Sequence, residues 1–502
     1  MSASPDHTSD RVDSSATTGA GLPAVLGAAN RRTVLRRAAA AGLLATPAAG
    51  LLSACATSGG DDEGNTDQDT GTKSATNPLG VKEDAALEII IFNGGYGEKY
   101  ATDVHEKLYQ TAFPKAQIKH QATQAVSTVL QPRFAGGDPP EFVNNSGEKF
   151  LDFGALVADG QMQDLTELWD APSVDDPSKK VRDTLIPGVV EQGMFSTADG
   201  SRKPYVLYYV STVYGIWYSG KLFKDNGWTA PTTWEQFTAL CEKIKAKGIT
   251  PFGYAGANAA YYQWNVILTQ AAKVGGPDVL KNIDNLEADA WKAEPVIQAA
   301  KAWAEIGAKY GDKSFEGLKH TDVQLRQNQN KLAFYPSGDW LENEQKKDTP
   351  AGFEYQLMAV PSLTASDKLP AGAIRAAGGE GYFVSAKSKN PRGGMEYMRQ
   401  MLSKAGARGF TETVGAATVV PAGSEGYQFP PGVASSQAAL KAAGANVFNM
   451  MFDNWYKELD TEARTATNEL MFGRASAEQW AERIQKRADA IKSDSSVAKF
   501  KR

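Results

Sequence analysis

The stretch Leu87-Glu88-Ile89-Ile90-Ile91-Phe92-Asn93-Gly94-Gly95-Tyr96-Gly97 indicates the fold class of this 502-residue chain. Its first six residues form a nearly continuous apolar run, which predicts a strand buried on both faces. The glycine-rich part predicts a loop, and apolar residues at Val104, Leu108 and Ala112 predict a helix behind it. A buried strand that leads through such a loop into a helix is typical of an α/β fold.

The next segments repeat the alternation of strand and helix. A second strand is predicted over residues 116–123, a short helix over 129–134, and a turn followed by a short strand over 136–143. This alternation predicts a parallel sheet. Ligands of open α/β sheets bind beyond the carboxyl ends of the strands, so the loops 93–97 and 144–147 are candidate ligand loops.

Ahead of the fold lies a segment typical of an export signal. Arg31-Arg32 precedes a short apolar run that ends in Leu52-Ser53-Ala54-Cys55. Paired arginines before an apolar run too short to span a bilayer predict twin-arginine export. The four-residue end resembles the bacterial lipobox, which implies that Cys55 carries a lipid and begins the mature protein. The alternative is a first core helix with Cys55 as a buried thiol.

Polar, glycine-rich sequence surrounds this segment on both sides. Residues 1–29 and 56–81 contain too few large apolar side chains to offset the entropy lost on ordering. We therefore predict a disordered extension with signal peptide over residues 1–54 and a lipid-anchored flexible tether over 55–84.

Composition limits the partners of the chain. A net charge of -5 is too small to indicate nucleic-acid binding and favours an uncharged ligand. The 10 tryptophans suggest stacking surfaces as well as core. Besides Cys55 there is only Cys241, which we expect in the core of a helix, so no disulfide framework is predicted.

Several motifs stand in an order known from one protein family. They lie at residues 87–97, 137–140, 160–166, 214–223, 231–237, 245–252, 329–340 and 378–385. In this order the chain resembles the extracellular carbohydrate-binding proteins of ABC transporters, although that family more often has Asn where Ser219 stands. Within the family, residues 93–97 are similar to the actinobacterial branch that binds N-acetylglucosamine and its dimer, N,N'-diacetylchitobiose.

The resemblance implies an α/β fold of the type II periplasmic-binding-protein kind, with two hinged lobes and a ligand cleft between them. It places lobe 1 at residues 85–207 and 372–417, and lobe 2 at 210–368 and 420–495. It also implies a monomeric sugar receptor on the extracellular face of the cytoplasmic membrane. Such a receptor has no enzymatic activity, no cofactor and no metal, and it delivers its sugar to permease subunits with a cytoplasmic ATPase.

Aromatic residues supply the first candidates for ligand binding. Trp340 follows a strand-like run and a turn, where it could stack on a pyranose, and Asp339 beside it could accept sugar hydroxyls or cap the helix predicted over 341–346. Core packing is the alternative for Trp340. The resemblance places further aromatic contacts near Tyr261 and Trp264.

Polar residues complete the candidate set. Gln263 could face an acetamido group, and the two loops contribute Asn93, Gly95, Tyr96, Asn145 and Ser146. Glu380, in the glycine-rich bend predicted over 378–382, could face sugar hydroxyls or be a surface charge. Trp455 lies in a stripe at helical spacing over 446–456, a pattern that is more often core.

Two other classes of protein remain as alternatives. A lipid-anchored glycoside hydrolase needs only a pair of carboxylates, and carboxylates are plentiful in this chain. A receptor for another neutral oligosaccharide, of the cellobiose or maltose type, would use the same aromatic residues. An adhesion lipoprotein would usually show repeats or a Ser/Thr-rich stalk, and the sequence has neither.

Overall fold

The computed structural model describes residues 71–197 and 200–502. The predicted export signal, the predicted lipidation site Cys55 and the first part of the predicted tether lie outside the described residues. Within the described ranges, no helix has both the length and the apolar character needed to cross a membrane.

Most strands of the described chain belong to one mixed sheet. The strands are β1 (Leu87–Phe92), β2 (Ile118–Thr123), β3 (Phe142–Asn144), β4 (Met194–Ser196), β5 (Arg202–Pro204), β6 (Leu207–Ser219), β7 (Thr250–Phe252), β8 (Leu332–Gly338), β9 (Tyr355–Met358), β10 (Ile374–Val384) and β11 (Val447–Phe448). Those of the main sheet run in the order β2-β1-β3-β10-β6-β8-β7, with β9 attached to β6 and β11 to β10. β4 and β5 form a separate antiparallel pair.

The sheet is parallel only in part. β1 is parallel to β2 and β3, as the alternation of strand and helix predicts. β10 is antiparallel to both β3 and β6, and β6 is antiparallel to β8 and β9. The prediction of a parallel sheet is therefore wrong for its middle. β10 returns from the second half of the chain and inserts between β3 and β6, so no strand-helix-strand unit sets its direction.

Two long strands connect the two ends of this sheet. β6 has 13 residues and β10 has 11. They pair with each other from Tyr214–Arg375 to Leu207–Tyr382. Beyond this antiparallel pairing, which we call the central ladder, β10 continues along β3 and β6 continues along β8 and β9. The residue boundaries of the two lobes stay a prediction.

Helices of varied length pack around the sheet. The α-helices of the described residues are α1 (Glu106–Ala112), α2 (Val126–Gly136), α3 (Phe153–Ala158), α4 (Thr166–Asp170), α5 (Val189–Gln192), α6 (Gly220–Asn226), α7 (Trp234–Ala246), α8 (Ala260–Gly275), α9 (Asp278–Asp284), α10 (Glu294–Tyr310), α11 (His320–Asn328), α12 (Leu341–Glu344), α13 (Pro391–Met401), α14 (Lys404–Val414), α15 (Pro421–Ser424), α16 (Pro431–Ala443), α17 (Phe452–Trp455), α18 (Lys457–Met471) and α19 (Ala477–Ser493). A π-helical turn, Ala101–His105, precedes α1. Short 3-10 helices lie at Val181–Thr184, Ala290–Lys292 and Lys313–Gly317.

Several local predictions are confirmed. β1 covers the apolar run that was predicted as the first strand. α8 begins at Ala260, next to the aromatic cluster predicted to open a helix. Cys241 is buried in α7, and this burial raises the pKa of its thiol, as expected for an unreactive core cysteine.

Two local predictions are wrong, and the aromatic stripe over 446–456 is divided between two elements. It contains the short strand β11 and the short helix α17, and the Asp284 carboxylate accepts hydrogen bonds from the N–H groups of Met451 and Phe452 at the start of α17. Residues 378–382 lie inside β10 and are not a bend. The end of the predicted tether belongs to the folded body, because Leu79 and Val81 are buried.

A buried lysine holds the connection between β9 and β10. Lys273, on α8, donates hydrogen bonds to the carbonyl of Val360 and, at 2.6 Å, to that of Ala371. Its own carbonyl accepts the N–H of Leu369 at 3.0 Å. The side chain has no exposed surface, and this burial lowers its pKa from 10.5 to about 7. Lys273 therefore fixes a segment that enters the central ladder.

We expect Lys273→Met to change how stability depends on pH. Between about pH 7 and pH 10 the unfolded wild-type chain binds a proton that the folded chain lacks, so folding is favoured as pH rises. The unfolding free energy of the wild type minus that of the variant should therefore rise with pH, by up to about 1.4 kcal/mol per pH unit in this range. Urea unfolding of both proteins from pH 7 to pH 10 measures this difference, and a constant difference would contradict it.

Candidate functional site

A cavity lies over the middle of the central ladder. Tyr208, Thr212 and Tyr214 of β6 line it together with Arg375 of β10. The three β6 residues are separated by even numbers of positions, so their side chains lie on the same face of the strand. One face of the ladder is therefore the floor of this cavity.

The β10 part of the floor is made of small residues. Gly378, Gly379 and Gly381 all line the cavity. A Cβ atom at Gly379 would lie 2.4 Å from Oγ1 of Thr212, so only glycine lets the two strands approach as they do. Glu380, between these glycines, has φ +53, which is uncommon for a residue with a side chain.

Glu380 is held by neutral hydrogen-bond donors. Its Oε2 accepts a hydrogen bond from Nδ2 of Asn144 at 3.0 Å. Burial raises the pKa of Glu380 above its usual value, and the hydrogen bonds from Asn144 and Ser146 oppose this rise. The arrangement favours a carboxylate that faces the cavity without a neighbouring cation.

The other cavity carboxylates are each paired with an arginine. Nη2 of Arg375 lies 3.8 Å from Oδ2 of Asp453, and Nε of Arg464 donates to Oδ2 of Asp460 at 2.7 Å. Burial raises the pKa of Asp453 to about 6, and the charge of Arg375 opposes the rise. Burial also raises the pKa of Asp460, against the charge of Arg464.

Both arginines also cover tyrosine rings of the cavity wall. The guanidinium carbon of Arg375 lies 4.1 Å from the ring centre of Tyr214, and that of Arg464 lies 4.4 Å from the ring centre of Tyr261. Arg375 is further fixed by hydrogen bonds to Oδ1 of Asn265 and, at 3.1 Å, to Oδ1 of Asn449. These contacts hold the polar wall in one geometry before any ligand is bound.

Trp340 forms part of an aromatic wall. It is half-buried, and its Nε1 donates a hydrogen bond to the Tyr262 hydroxyl at 3.0 Å. Its ring meets that of Tyr214 edge-on, with ring centres 5.6 Å apart. Tyr96 lines the same cavity, and its buried hydroxyl has no hydrogen-bond partner among the described residues. The wall thus offers aromatic surface and an unused polar atom.

Contacts on two sides close the cavity. Nδ2 of Asn343, just after β8, donates to the carbonyl of Gly95, in the loop after β1. Nζ of Lys457 donates to the carbonyl of Phe150. Each contact joins the β1–β3 end of the sheet to elements of the other end. The described conformation therefore brings the two ends of the sheet into contact beside the cavity.

Half of the residues predicted from sequence line this cavity. They are Tyr96, Asn145, Ser146, Tyr261, Trp340 and Glu380. The structure thus brings together residues from distant parts of the chain. The amide of Asn145 is already used, because its Nδ2 donates to the carbonyl of Leu151 at 2.9 Å and its Oδ1 accepts the N–H of that residue at 2.7 Å.

The other predicted residues lie outside the cavity lining. They are Asn93, Gly95, Gln263, Trp264, Asp339 and Trp455. Gln263 and Trp264 are fully buried on α8, and Trp264 packs against Phe452. Trp455 is buried against Phe500 and lines a second pocket. The aromatic stripe is therefore core here, which is its more frequent role.

Asp339 supports the central ladder from behind. Its Oδ2 accepts hydrogen bonds from the N–H of Val213 at 3.3 Å and from the hydroxyl of Ser436 at 3.4 Å. Burial raises its pKa to about 7. The prediction that it caps the next helix is wrong, since α12 begins after Trp340 without a side-chain cap and ends at Glu344.

Sequence reasoning missed the charged wall of the cavity. The missed residues include Tyr214, Asn265, Arg375, Asn449, Asp453, Asp460 and Arg464. Asp460 and Arg464 have the spacing of an ordinary surface ion pair on a helix, so only tertiary structure reveals their burial. In the part of the chain that the structure describes, no cluster of His, Cys, Asp and Glu could hold a metal ion.

Comparisons with known proteins agree on one family. The sequence profile of the bacterial extracellular solute-binding proteins matches residues 97–408. The diacetylchitobiose binding protein NgcE of Streptomyces coelicolor is 37% identical over 486 residues, which are 95% of this chain and 98% of NgcE.

Solved structures show the same fold. A chitin oligosaccharide binding protein matches with a TM-score of 0.63 at 19% identity, over 78% of this chain and 94% of its own. RafE of Streptococcus pneumoniae, without ligand, matches with a TM-score of 0.59 at 20% identity, over 82% of this chain and 98% of its own. The predicted two-lobed, periplasmic-binding-protein-like fold is confirmed. The chain belongs to the family of bacterial extracellular solute-binding proteins.

Proposed function

We propose that this protein is the sugar receptor of an ABC importer and that it binds N-acetylglucosamine and N,N'-diacetylchitobiose. The observation that carries the proposal is the cavity on the central ladder, whose wall combines aromatic rings with neutral amides and hydroxyls. The relative NgcE, named for binding diacetylchitobiose, supports the choice of sugar, because the similarity extends over nearly the whole chain.

The aromatic wall suits the apolar faces of sugar rings. A pyranose presents C–H groups on its faces and hydroxyls at its rim, so it binds best between flat rings and polar side chains. Trp340 is the proposed stacking surface, because it is only half-buried and lines the cavity. Tyr96 and Tyr261 would complete the aromatic surround.

The polar wall suits hydroxyl and acetamido groups. Thr212 offers a hydroxyl, and Asn265 and Asn449 offer amides, all within the cavity lining. Both asparagine oxygens already accept from Arg375. Nδ2 of Asn265 donates to the carbonyl of Tyr261 and Nδ2 of Asn449 to the sulfur of Met451, so each amide keeps one N–H to donate. Donors of this kind match the carbonyl oxygen of an acetamido group, and this match favours N-acetylglucosamine over plain glucose.

Two contacts beside the cavity would separate if the protein opens. They are those of Gly95 with Asn343 and of Phe150 with Lys457, and each joins the two ends of the sheet. We propose that they separate to admit the sugar and form again around it, with the central ladder as the hinge between the lobes predicted above. Ligand would then be removed from water on both of its faces.

We further propose that the cavity binds its sugar without hydrolysing it. A glycoside hydrolase uses one carboxyl group as an acid and a second as nucleophile or base. Asp453 and Asp460 each lie beside an arginine, Arg375 and Arg464, whose positive charge favours the ionised carboxylate against the effect of burial. The three cavity carboxylates are thus arranged for holding polar groups.

The remaining parts of the proposal concern location and partners. We propose twin-arginine export, lipid attachment at Cys55 and a monomeric receptor on the extracellular face of the cytoplasmic membrane. The sugar would pass to two permease subunits driven by a cytoplasmic ATPase. Cys55 lies outside the described residues, so this part rests on the sequence.

A titration panel tests the ligand. The proposal predicts that N-acetylglucosamine and N,N'-diacetylchitobiose change the tryptophan fluorescence, whereas glucose, maltose and cellobiose do not. Trp340→Ala should weaken the binding of diacetylchitobiose by about 2 kcal/mol, or roughly 30-fold, because a stacking surface is lost. The matched control is Trp228→Ala, another half-buried tryptophan, which lies outside the cavity lining.

The same panel can contradict the proposal in two ways. If cellobiose or maltose changes the tryptophan fluorescence while the acetamido sugars do not, the protein is a receptor for another neutral oligosaccharide. If diacetylchitobiose binds equally well to the wild type and to Trp340→Ala, the cavity assignment is wrong.

An activity assay separates a receptor from a hydrolase. Purified protein incubated with diacetylchitobiose and longer chitin oligomers should leave them intact, as measured by chromatography of the products. Shortened products would overturn the receptor proposal. The control for a contaminating enzyme is a Trp340→Ala sample prepared in parallel, which should show reduced turnover if the activity belongs to this protein.

A further inference from the structure

Glu380 is the one cavity carboxylate, among the described residues, that has no cationic partner. The cavity lining contains three carboxylates, Glu380, Asp453 and Asp460, and two guanidiniums, Arg375 and Arg464. Each guanidinium is paired with one of the aspartates. Glu380 interacts with the Asn144 amide and the Ser146 hydroxyl, and the nearby charge of Glu344 repels it.

The backbone at this position is also costly. Glu380 has φ +53, where a residue with a side chain is strained by about 1 kcal/mol or more. It also interrupts the regular pairing of the ladder, which passes from Gly379–Val210 to Gly381–Tyr208. A strained backbone that presents a charged group to a cavity is a common sign of a binding role.

An unpaired carboxylate in a cavity needs compensation. Removing a charge from water is unfavourable unless it is paired and hydrogen-bonded. Sugar hydroxyls would satisfy the lone pairs of Glu380 but would leave its negative charge in place. An ammonium group would do both, because it donates three hydrogen bonds and carries a positive charge.

We propose that Glu380 binds the ammonium group of a glucosamine unit, so that the cavity accepts de-N-acetylated chitin disaccharides as well as N,N'-diacetylchitobiose. The inference rests on the proposed function, since it concerns a second sugar class in the same cavity. One positive charge on the ligand would balance the lining, in which carboxylates exceed guanidiniums by one. Removing the acetyl group creates this charge at the nitrogen of C2 without changing the ring or the β-1,4 linkage.

Calorimetric titration of the protein with two disaccharides tests the inference. The ligands are N,N'-diacetylchitobiose and its singly acetylated form, at about pH 6 so that the amino group carries a charge. The proteins are wild type, Glu380→Gln, and Glu235→Gln as control. The control removes one carboxylate from an exposed position of α7, outside the cavity lining.

The wild type is expected to bind the singly acetylated disaccharide, which carries one ammonium group. Glu380→Gln should weaken this binding by at least about tenfold, since a charge-assisted hydrogen bond is replaced by a neutral one. The same variant should change the binding of diacetylchitobiose by less than about threefold, because Gln keeps an oxygen that can accept from Asn144. Glu235→Gln should match the wild type with both ligands. Failure of the wild type to bind the singly acetylated disaccharide overturns the inference without the use of any variant.

The outcomes separate this inference from the proposed function. If diacetylchitobiose binds and the singly acetylated disaccharide does not, or if Glu380→Gln weakens both to the same degree, the inference is wrong and the proposed function stands. If neither disaccharide binds the wild type, both are wrong.

Discussion

The antiparallel pairing of β6 with β10 is the interaction on which the rest of the structure depends. It joins the β1–β3 end of the sheet to the end that contains β7, β8 and β9. It also supplies the cavity floor, where glycine at position 379 permits the close approach of Thr212. Asp339 supports it through a hydrogen bond from the N–H of Val213, and Lys273 holds the segment that leads into β10. The same ladder therefore joins the two ends of the sheet and forms the floor of the cavity.

Charge pairing gives the cavity its second constraint. Arg375, which is buried, and Arg464, which is partly exposed, each lie beside a carboxylate and a tyrosine ring and so restrain four side chains of the cavity. Such pre-organisation lowers the entropy lost on binding. It also makes Glu380 stand out, because this carboxylate is held by neutral groups alone. The polar wall therefore has two parts. One is formed by the two arginine–aspartate pairs, and the other is Glu380, whose charge a ligand could balance.

The sequence predicted the local elements better than their assembly. Apolar periodicity located β1 and the start of α8, and the order of motifs predicted the family and its fold. The antiparallel direction of β10 could not be predicted from the sequence, because it depends on where this strand from the second half of the chain inserts into the sheet. Likewise, the spacing of Asp460 and Arg464 is that of a surface pair, and only packing buries them. Tyr96, Asn145 and Ser146 of the predicted loops line the cavity, as does Glu380 of β10, whereas the charged side chains of Arg375, Asp453, Asp460 and Arg464 were missed.

The central claim is that one disaccharide lies over the central ladder, enclosed by both ends of the sheet. A crystal structure of the protein with N,N'-diacetylchitobiose tests it most directly. The account predicts sugar rings against Trp340, within hydrogen-bond distance of residues 378–381 of β10, with the contact of Asn343 to Gly95 in place. A sugar bound instead in the pocket beside Trp455, or on the outer surface of one lobe, would contradict it.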